Sequence, residues 1–243
     1  MTQFLVRKDA IRPPRAFLDG EEAHHAHSVF RLKVGDPIQI FDGQGQGFNG
    51  RITQSRKTRV EVEILNHRSK PSDSGIQITL GQCLIPRDAM DTVVLKATEL
   101  GVREIIPLVS SRSQVKLDFK KRSQKQGHWD NLALAACKQC DRLMLPMIGD
   151  VRPLSQLVKA FDTFDLVLLA HKDGPAKPVK SLLPLDGSLG SVLVLIGPEG
   201  GFDPAEVCLM TDRGAHLISL GPYTLKSDTA SLCLLSFLGC HTY

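Results

Sequence analysis

The sequence lacks the marks of several protein classes. No apolar run is long enough to cross a membrane. The first residues carry no charged-then-apolar signal segment, so a cytoplasmic location and no membrane partner are expected. No Gly-x-Gly-x-x-Gly dinucleotide fingerprint is present, and no Gly-Lys-Ser/Thr completes a phosphate loop. Metal spacing is missing too. Cys137 and Cys140 form a Cys-x-x-Cys, but no second pair or histidine accompanies them, and His24, His25 and His27 are too crowded for a familiar ligand set. The two cysteines share an apolar helical pattern with Trp129, Leu132, Ala133 and Ala136, so core packing is expected and no metal. Six cysteines in a cytosolic chain are expected to stay reduced. Charge of one sign is scarce as well: a net charge of +4 does not by itself point to a nucleic-acid partner.

The grammar of the chain changes near residue 70. At 243 residues there is room for one large or two small domains. Residues 1–70 read as short strands over Phe4 to Arg7, Pro37 to Phe41, Phe48 to Gln54 and Arg59 to Leu65. A short helix fits Ala23 to Arg31, and a glycine-punctuated turn runs from Asp42 to Gly47. Short alternating strands predict a small β-barrel. These residues hold 12 Lys/Arg against 8 Asp/Glu, which accounts for the whole net charge. Arg112 to Lys125, with Lys120, Lys121 and Arg122, is a second basic stretch. Both read either as phosphate-facing patches or as solvated faces. Ser69 to Gly75 is a linker.

From Ile76 onward strands and helices alternate, which predicts an α/β domain with a mostly parallel sheet over residues 75–243. Ile76, Ile78 and Leu80 open a strand. Asp88 is expected to cap a helix whose apolar face carries Met90, Val93, Val94, Ala97 and Leu100, with Gly101 at its end. Lys96 and Glu99, at i and i+3, are placed to pair. Strands are expected over Ile105 to Val109 and Asp165 to Ala170, and helices near Trp129 to Gln139 and Leu154 to Phe161. The loop from His171 to Gly190 is long enough to be functional or mobile.

The chemistry concentrates between Val192 and Ala230. Val192 to Ile196 is a continuous apolar run, suited to a strand buried on both faces. Gly197-Pro198-Glu199-Gly200-Gly201 follows, three glycines in five residues, where backbone can turn sharply and a ligand can approach it closely. Asp203 as N-cap, Pro204 at N1 and Glu206 in the first turn start a helix that Gly214 ends. His216 to Leu220 reads as a second buried strand, broken by Gly221-Pro222, and Ser227 or Asp228 caps a last helix. Two glycine turns after neighbouring parallel strands make a crevice at the carboxyl ends of a sheet. Spacing alone leaves both a plain tight turn and a backbone-lined pocket open.

Leu-Ile-Gly-Pro-Glu-Gly-Gly-Phe at 195–202, Ser-Leu-Gly-Pro at 219–222 and Asp-Thr-Ala at 228–230 resemble the RsmE family. His25-Ser28-Val29-Arg31-Leu32-Lys33-Val34-Gly35-Asp36, Lys96 to Val102, Ser111-Arg112-Ser113, and Gln139 with Arg142 resemble its other signatures, so the likeness covers nearly the whole chain. The resemblance implies a SPOUT-class methyltransferase domain over residues 75–243 with a C-terminal trefoil knot, and a PUA-like RNA-binding domain over residues 1–70. It implies S-adenosyl-L-methionine as cofactor, N3 of a uridine in 16S ribosomal RNA of the small subunit as target, and a homodimer. Carried over by position, Ile196, Gly197, Pro198, Glu199, Gly200, Gly201, Leu220, Gly221, Leu225, Thr229 and Ala230 line the cofactor. Arg142, with Lys226 approaching the same crevice, stabilises the uridine anion, and Arg112 aids catalysis or clamps a phosphate. Surface or interface salt bridges remain the other reading of the two arginines. His25 and Arg31 meet RNA together with the basic stretch at 120–122.

One departure stands out. Where the family pattern after Leu-Gly-Pro runs Arg-Ile-Leu-Arg-Thr-Glu-Thr-Ala, this chain has Tyr223-Thr224-Leu225-Lys226-Ser227-Asp228-Thr229-Ala230. Lys226 keeps a charge without the planar fork, and Tyr223 loses it. A methyltransferase of the same fold on another RNA site, or a catalytically weak RNA-binding assembly factor, are the competing expectations.

Overall fold

The computed structural model describes residues 3–68, 75–113, 119–172, 176–183 and 189–241, with the side chains of 119–123 and 241 outside that description. The chain divides into two compact units: Met1–Ser72 with Leu134–Leu145, and Asp73–Ala133 with Pro146–Tyr243. Ser69 to Ser74 of the expected linker lie outside the described residues.

The first unit contains β1 (Gln3–Leu5), β2 (Ile11–Arg12), β3 (Arg15–Asp19), α1 (Gly20–His24), β4 (Pro37–Phe41), β5 (Gly47–Arg56) and β6 (Arg59–Arg68). They form one sheet in the order β1-β4-β5-β6-β3-β2. Period-two alternation puts Ala16, Leu18, Ile38, Ile40, Val60 and Val62 on a common core with Phe4 and Ala23. Among the described residues the ladder stops at β1 and β2 without pairing them, so the expected barrel is an open sheet. The helix expected over Ala23 to Arg31 is instead α1 followed by a π-turn, His25–Val29. The hairpin β2–β3 was hidden in the sequence because Pro13-Pro14 interrupts it. Cys137 is buried with Phe41 and Leu143, the packing role expected of it.

The second unit contains β7 (Gln77–Cys83), α2 (Arg87–Glu99), β8 (Glu104–Val109), α3 (Phe119–Cys140, whose residues from Leu134 belong to the first unit), β9 (Met147–Ile148) and β10 (Arg152–Pro153). It continues with α4 (Leu154–Leu157), β11 (Leu166–Ala170), β12 (Lys177–Pro178), β13 (Ser191–Ile196), α5 (Pro204–Asp212), β14 (His216–Ser219) and α6 (Ser227–His241). The sheet runs β10-β8-β7-β13-β11-β14-β12, with β9 beside β8, and its strand pairs are parallel.

Alternate residues of β13 explain the architecture. Val192, Val194 and Ile196 face a cluster with α2 and α6 residues, whereas Leu193 and Leu195 face one with α4 and Met210 of α5. Both faces are covered, and each of these buried side chains contributes about 1.5–3 kcal/mol. Two local expectations need correction. Helix α2 starts at Arg87 behind Pro86, so Asp88 is not the cap but a first-turn carboxylate, favourable to the helix dipole. Strand β14 is not a buried neighbour of β13: β11 lies between them, and only Ile218 of β14 is fully buried.

Candidate functional site

The site grows from the place where the sheet changes direction. The chain leaves β7 toward β8 and leaves the adjacent β13 toward β14, in opposite directions along the sheet. Such a switch point opens a crevice beyond the carboxyl ends of the strands. Beside it, beyond the carboxyl ends of β13 and its other neighbour β11, lies a cavity of about 880 Å³, with Arg112 from the segment after β8 at its edge. Smaller hollows of about 250 and 330 Å³ lie elsewhere, one of them at the amino ends of β11 and β14, the wrong end of the sheet for a switch-point ligand.

The first glycine turn is its wall. Of the three glycines only Gly201 has positive φ, +68°, so it alone requires glycine for its backbone. Gly197 requires it for space, since an added Cβ would lie 3.2 Å from the Phe202 ring. At Gly200 a Cβ would meet nothing closer than Arg112 at 3.8 Å. The turn is then locked into α5. The Asp203 carboxylate accepts from the Ala205 amide, and Glu206 accepts from the Asp203 amide, a reciprocal capping box. The other Glu206 oxygen accepts from the Ser111 amide at 2.7 Å. Arg112 donates to the Gly200 carbonyl at 3.2 Å and pairs with Asp203 at 3.3 Å. Its guanidinium thus clamps protein backbone, and the salt-bridge reading of this residue is the geometry seen.

Ile196 to Gly201, Leu225, Lys226, Ala230 and Arg112 all line the cavity. Leu220, Gly221 and Thr229 do not. Leu220 packs against the core, Gly221 takes φ +127° beside Ser219, and exposed Thr229 bonds to its neighbour Asp228. Arg142 sits in the first unit just after α3, where its amide donates to the Cys137 carbonyl and its own carbonyl accepts from Gln3 at 2.8 Å. His25 opens the π-turn, and Arg31 follows it with φ +54°; both are exposed. Lys120, Lys121 and Arg122 fall in the first turns of α3, with side chains outside the described residues. Lys96 and Glu99 pair at 2.8 Å, as their spacing implied.

Several participants went unnoticed in the sequence. His171 and Lys172, directly after β11, line the cavity with Phe202, Val207 and Cys208. The signal for the first two was the one used for the glycine turn, a polar step off the end of an apolar strand. The cavity thus carries the cations Arg112, Lys172 and Lys226 against Glu199. Cys83, at the end of β7, is no thiolate nucleophile: burial, with Glu206 adding to it against a Ser110 hydrogen bond, pushes its thiol up to about 12.

An open parallel sheet covered on both faces, with its cavity at the carboxyl ends of its strands, defines the class of α/β proteins that hold a ligand on strand-to-helix turns. Residues 72–239 match the RNA methyltransferase domain and residues 18–65 the RNA methyltransferase PUA domain. The chain belongs to the RsmE family of RNA methyltransferases. It is 29% identical over 245 residues to ribosomal RNA small subunit methyltransferase E of Bacillus subtilis, covering 98% of this chain and 94% of that one. The protein of the same name from Aquifex aeolicus is 30% identical over 225 residues, 90% and 91% of the two chains. Among solved structures, a Legionella pneumophila methyltransferase in complex with bound SAM superposes with a TM-score of 0.89 at 30% identity, over 99% of this chain and 97% of that one. The S-adenosyl methionine-bound methyltransferase E of Neisseria gonorrhoeae shares the fold, with a TM-score of 0.88 at 24% identity over 99% and 98%.

Proposed function

We propose that this chain uses S-adenosylmethionine to methylate N3 of a uridine in the 16S RNA of the small ribosomal subunit. The observation that carries the reading is the cavity at the carboxyl ends of β11 and β13, walled by a pre-locked glycine turn and edged with cations. The donor set suits the cofactor. Ile196, Leu225 and Ala230 offer an apolar surface for an adenine ring, and the turn offers backbone groups for its polar edge. Lys172 offers charge to a carboxylate, and Glu199 offers it to the cationic end. When bound, S-adenosylmethionine supplies an electrophilic methyl group on a sulfonium.

The chain's own task is to make N3 a nucleophile. Transfer of the N3 proton to solvent water leaves negative charge spread over the uridine oxygens. Lys226 at the cavity, and Arg142 by family position, stabilise that charge. The first unit, PUA-like by its matching family, takes the RNA, with His25 and Arg31 on its exposed surface. We extend the proposal to a domain division near residues 70–75, a knotted C-terminal segment and a homodimer, each taken from the family resemblance. The function is tested by incubating the protein with S-adenosylmethionine and small-subunit RNA lacking the mark, then analysing nucleosides by mass spectrometry. Appearance of 3-methyluridine supports the reading. A different methylated nucleoside, or none, overturns it. Sedimentation at micromolar concentration tests the dimer.

A further inference from the structure

Gln82 is a polar side chain with 0% exposure at the carboxyl end of β7, in register with Ile196 of β13. It does not line the cavity, yet its amide reaches Ser227, which does, and through Ser227 the glycine turn. One Nε2 hydrogen goes to the Cys83 carbonyl and the other to the Ser227 hydroxyl, each at 2.9 Å. Ser227 donates its own proton to the carbonyl of Gly197, the first residue of the glycine turn, at 2.6 Å. On the far side the Gln82 carbonyl oxygen accepts from Ser231, another hydroxyl with 0% exposure, one turn along α6. The Ser231 hydroxyl also lies 2.9 Å from the Ser227 carbonyl, but among the described residues it is the one donor to the Gln82 oxygen, whose orientation the Cys83 carbonyl fixes, so its proton goes to Gln82. The arrangement therefore assigns every proton: Ser231 to Gln82, Gln82 to Ser227, Ser227 to Gly197.

We infer that Gln82 is a positioning residue for the cofactor, acting through Ser227 to hold the Gly197 turn and the start of α6 at a fixed separation. The inference rests on the proposed use of S-adenosylmethionine. It deepens that reading by making affinity depend on a residue outside the cavity. A directional chain of hydrogen bonds fixes orientation as well as distance. An apolar contact of the same volume would hold the segments together without fixing how the Gly197 carbonyl points. The hydroxyl matters more than its carrier, so threonine should replace serine at 227.

The test is calorimetric titration of S-adenosylmethionine into wild type, Gln82→Met, Ser231→Ala, Ser227→Thr and a core control, Val93→Ala, with melting temperatures recorded for each. Wild type that fails to bind sinks the cofactor reading itself. With wild type binding, Gln82→Met should weaken affinity at least tenfold and Ser231→Ala at least threefold. Ser227→Thr should stay within twofold of wild type. Val93→Ala should lower the melting temperature while leaving affinity within twofold, which separates positioning from general destabilisation. Should Gln82→Met fail to fold, Ser231→Ala carries the test alone, because it leaves both Gln82 donors in place. Affinity in folded Gln82→Met or Ser231→Ala equal to wild type, or lost in step with melting temperature as in the control, overturns the inference.

Discussion

The two glycine turns of the second unit follow parallel strands of the same sheet, yet they are built differently. The first leaves β13, whose residues from Val192 to Ile196 are all buried, and is tied down by the Asp203–Glu206 capping box, by Arg112 and by Ser227. The second leaves β14, a four-residue strand with one fully buried side chain, and its Gly221 to Thr224 are exposed, Tyr223 by 82%. Packing and hydrogen bonds preform the first turn, and little holds the second. Under the proposed function the first turn is a cofactor wall that must be rigid and the second a rim that must admit an RNA base, and the two builds match these opposite demands.

The largest effect should come from breaking the rigid turn. Gly201→Val forces a β-branched residue to φ +68°, a strain of about 1–3 kcal/mol, and calorimetry should find S-adenosylmethionine binding abolished. Gly200→Ala, with only ordinary contact to Arg112, should bind within a few-fold of wild type, which tests whether backbone strain rather than glycine content is decisive. Next comes the soft turn's cation. Lys226→Ala should lower the methylation rate at least tenfold with little change in cofactor affinity, because charge on the uridine grows toward the transition state. Lys226→Arg should match or exceed wild type in the same assay. Wild-type turnover in Lys226→Ala would reassign this lysine to structure.

Smaller effects sharpen the contrast. Asp203→Ala removes the α5 cap and the partner of Arg112, and should cost about 1 kcal/mol by denaturant titration. Tyr223→Ala, on the exposed rim, should change stability by less than about 0.5 kcal/mol. The smallest concerns acid. Hydrogen bonds from the Ser191 amide and hydroxyl, with one from Gly190, hold the Asp165 carboxyl below its ordinary value of 3.8 and anchor the start of β13. A lowered folded pKa adds stability above the unfolded value, and that stability is lost as pH falls through the folded one. Asp165→Asn should therefore flatten the decline of melting temperature at the acid end.

What was legible in the sequence was local. The β13 run, the glycine turn and the Asp203-Pro204-x-Glu206 start of α5 lie within sixteen residues, and their signals are steric and capping preferences that need no distant partner. What was not legible depends on long separations. Arg112 meets Gly200 and Asp203 across 88 and 91 residues, and Gln82 meets Ser227 and Ser231 across 145 and 149. A glutamine in an apolar strand carries no mark of its partners. The exposure of β14 was hidden for the same reason, since its apolar residues look like those of β13 until the sheet order places it near an edge.

Amide hydrogen exchange, with and without S-adenosylmethionine, tests the division between the turns most directly. In the free protein the amides of Gly201, Asp203, Ala205 and Val207 should already be protected by their bonds to Pro198, Glu206 and Asp203, while those of Tyr223 to Leu225 exchange fast. Adding the cofactor should slow Tyr223 to Leu225 and change the first group little. Fast exchange across both turns in the free protein, or no slowing of the second on binding, would contradict the account.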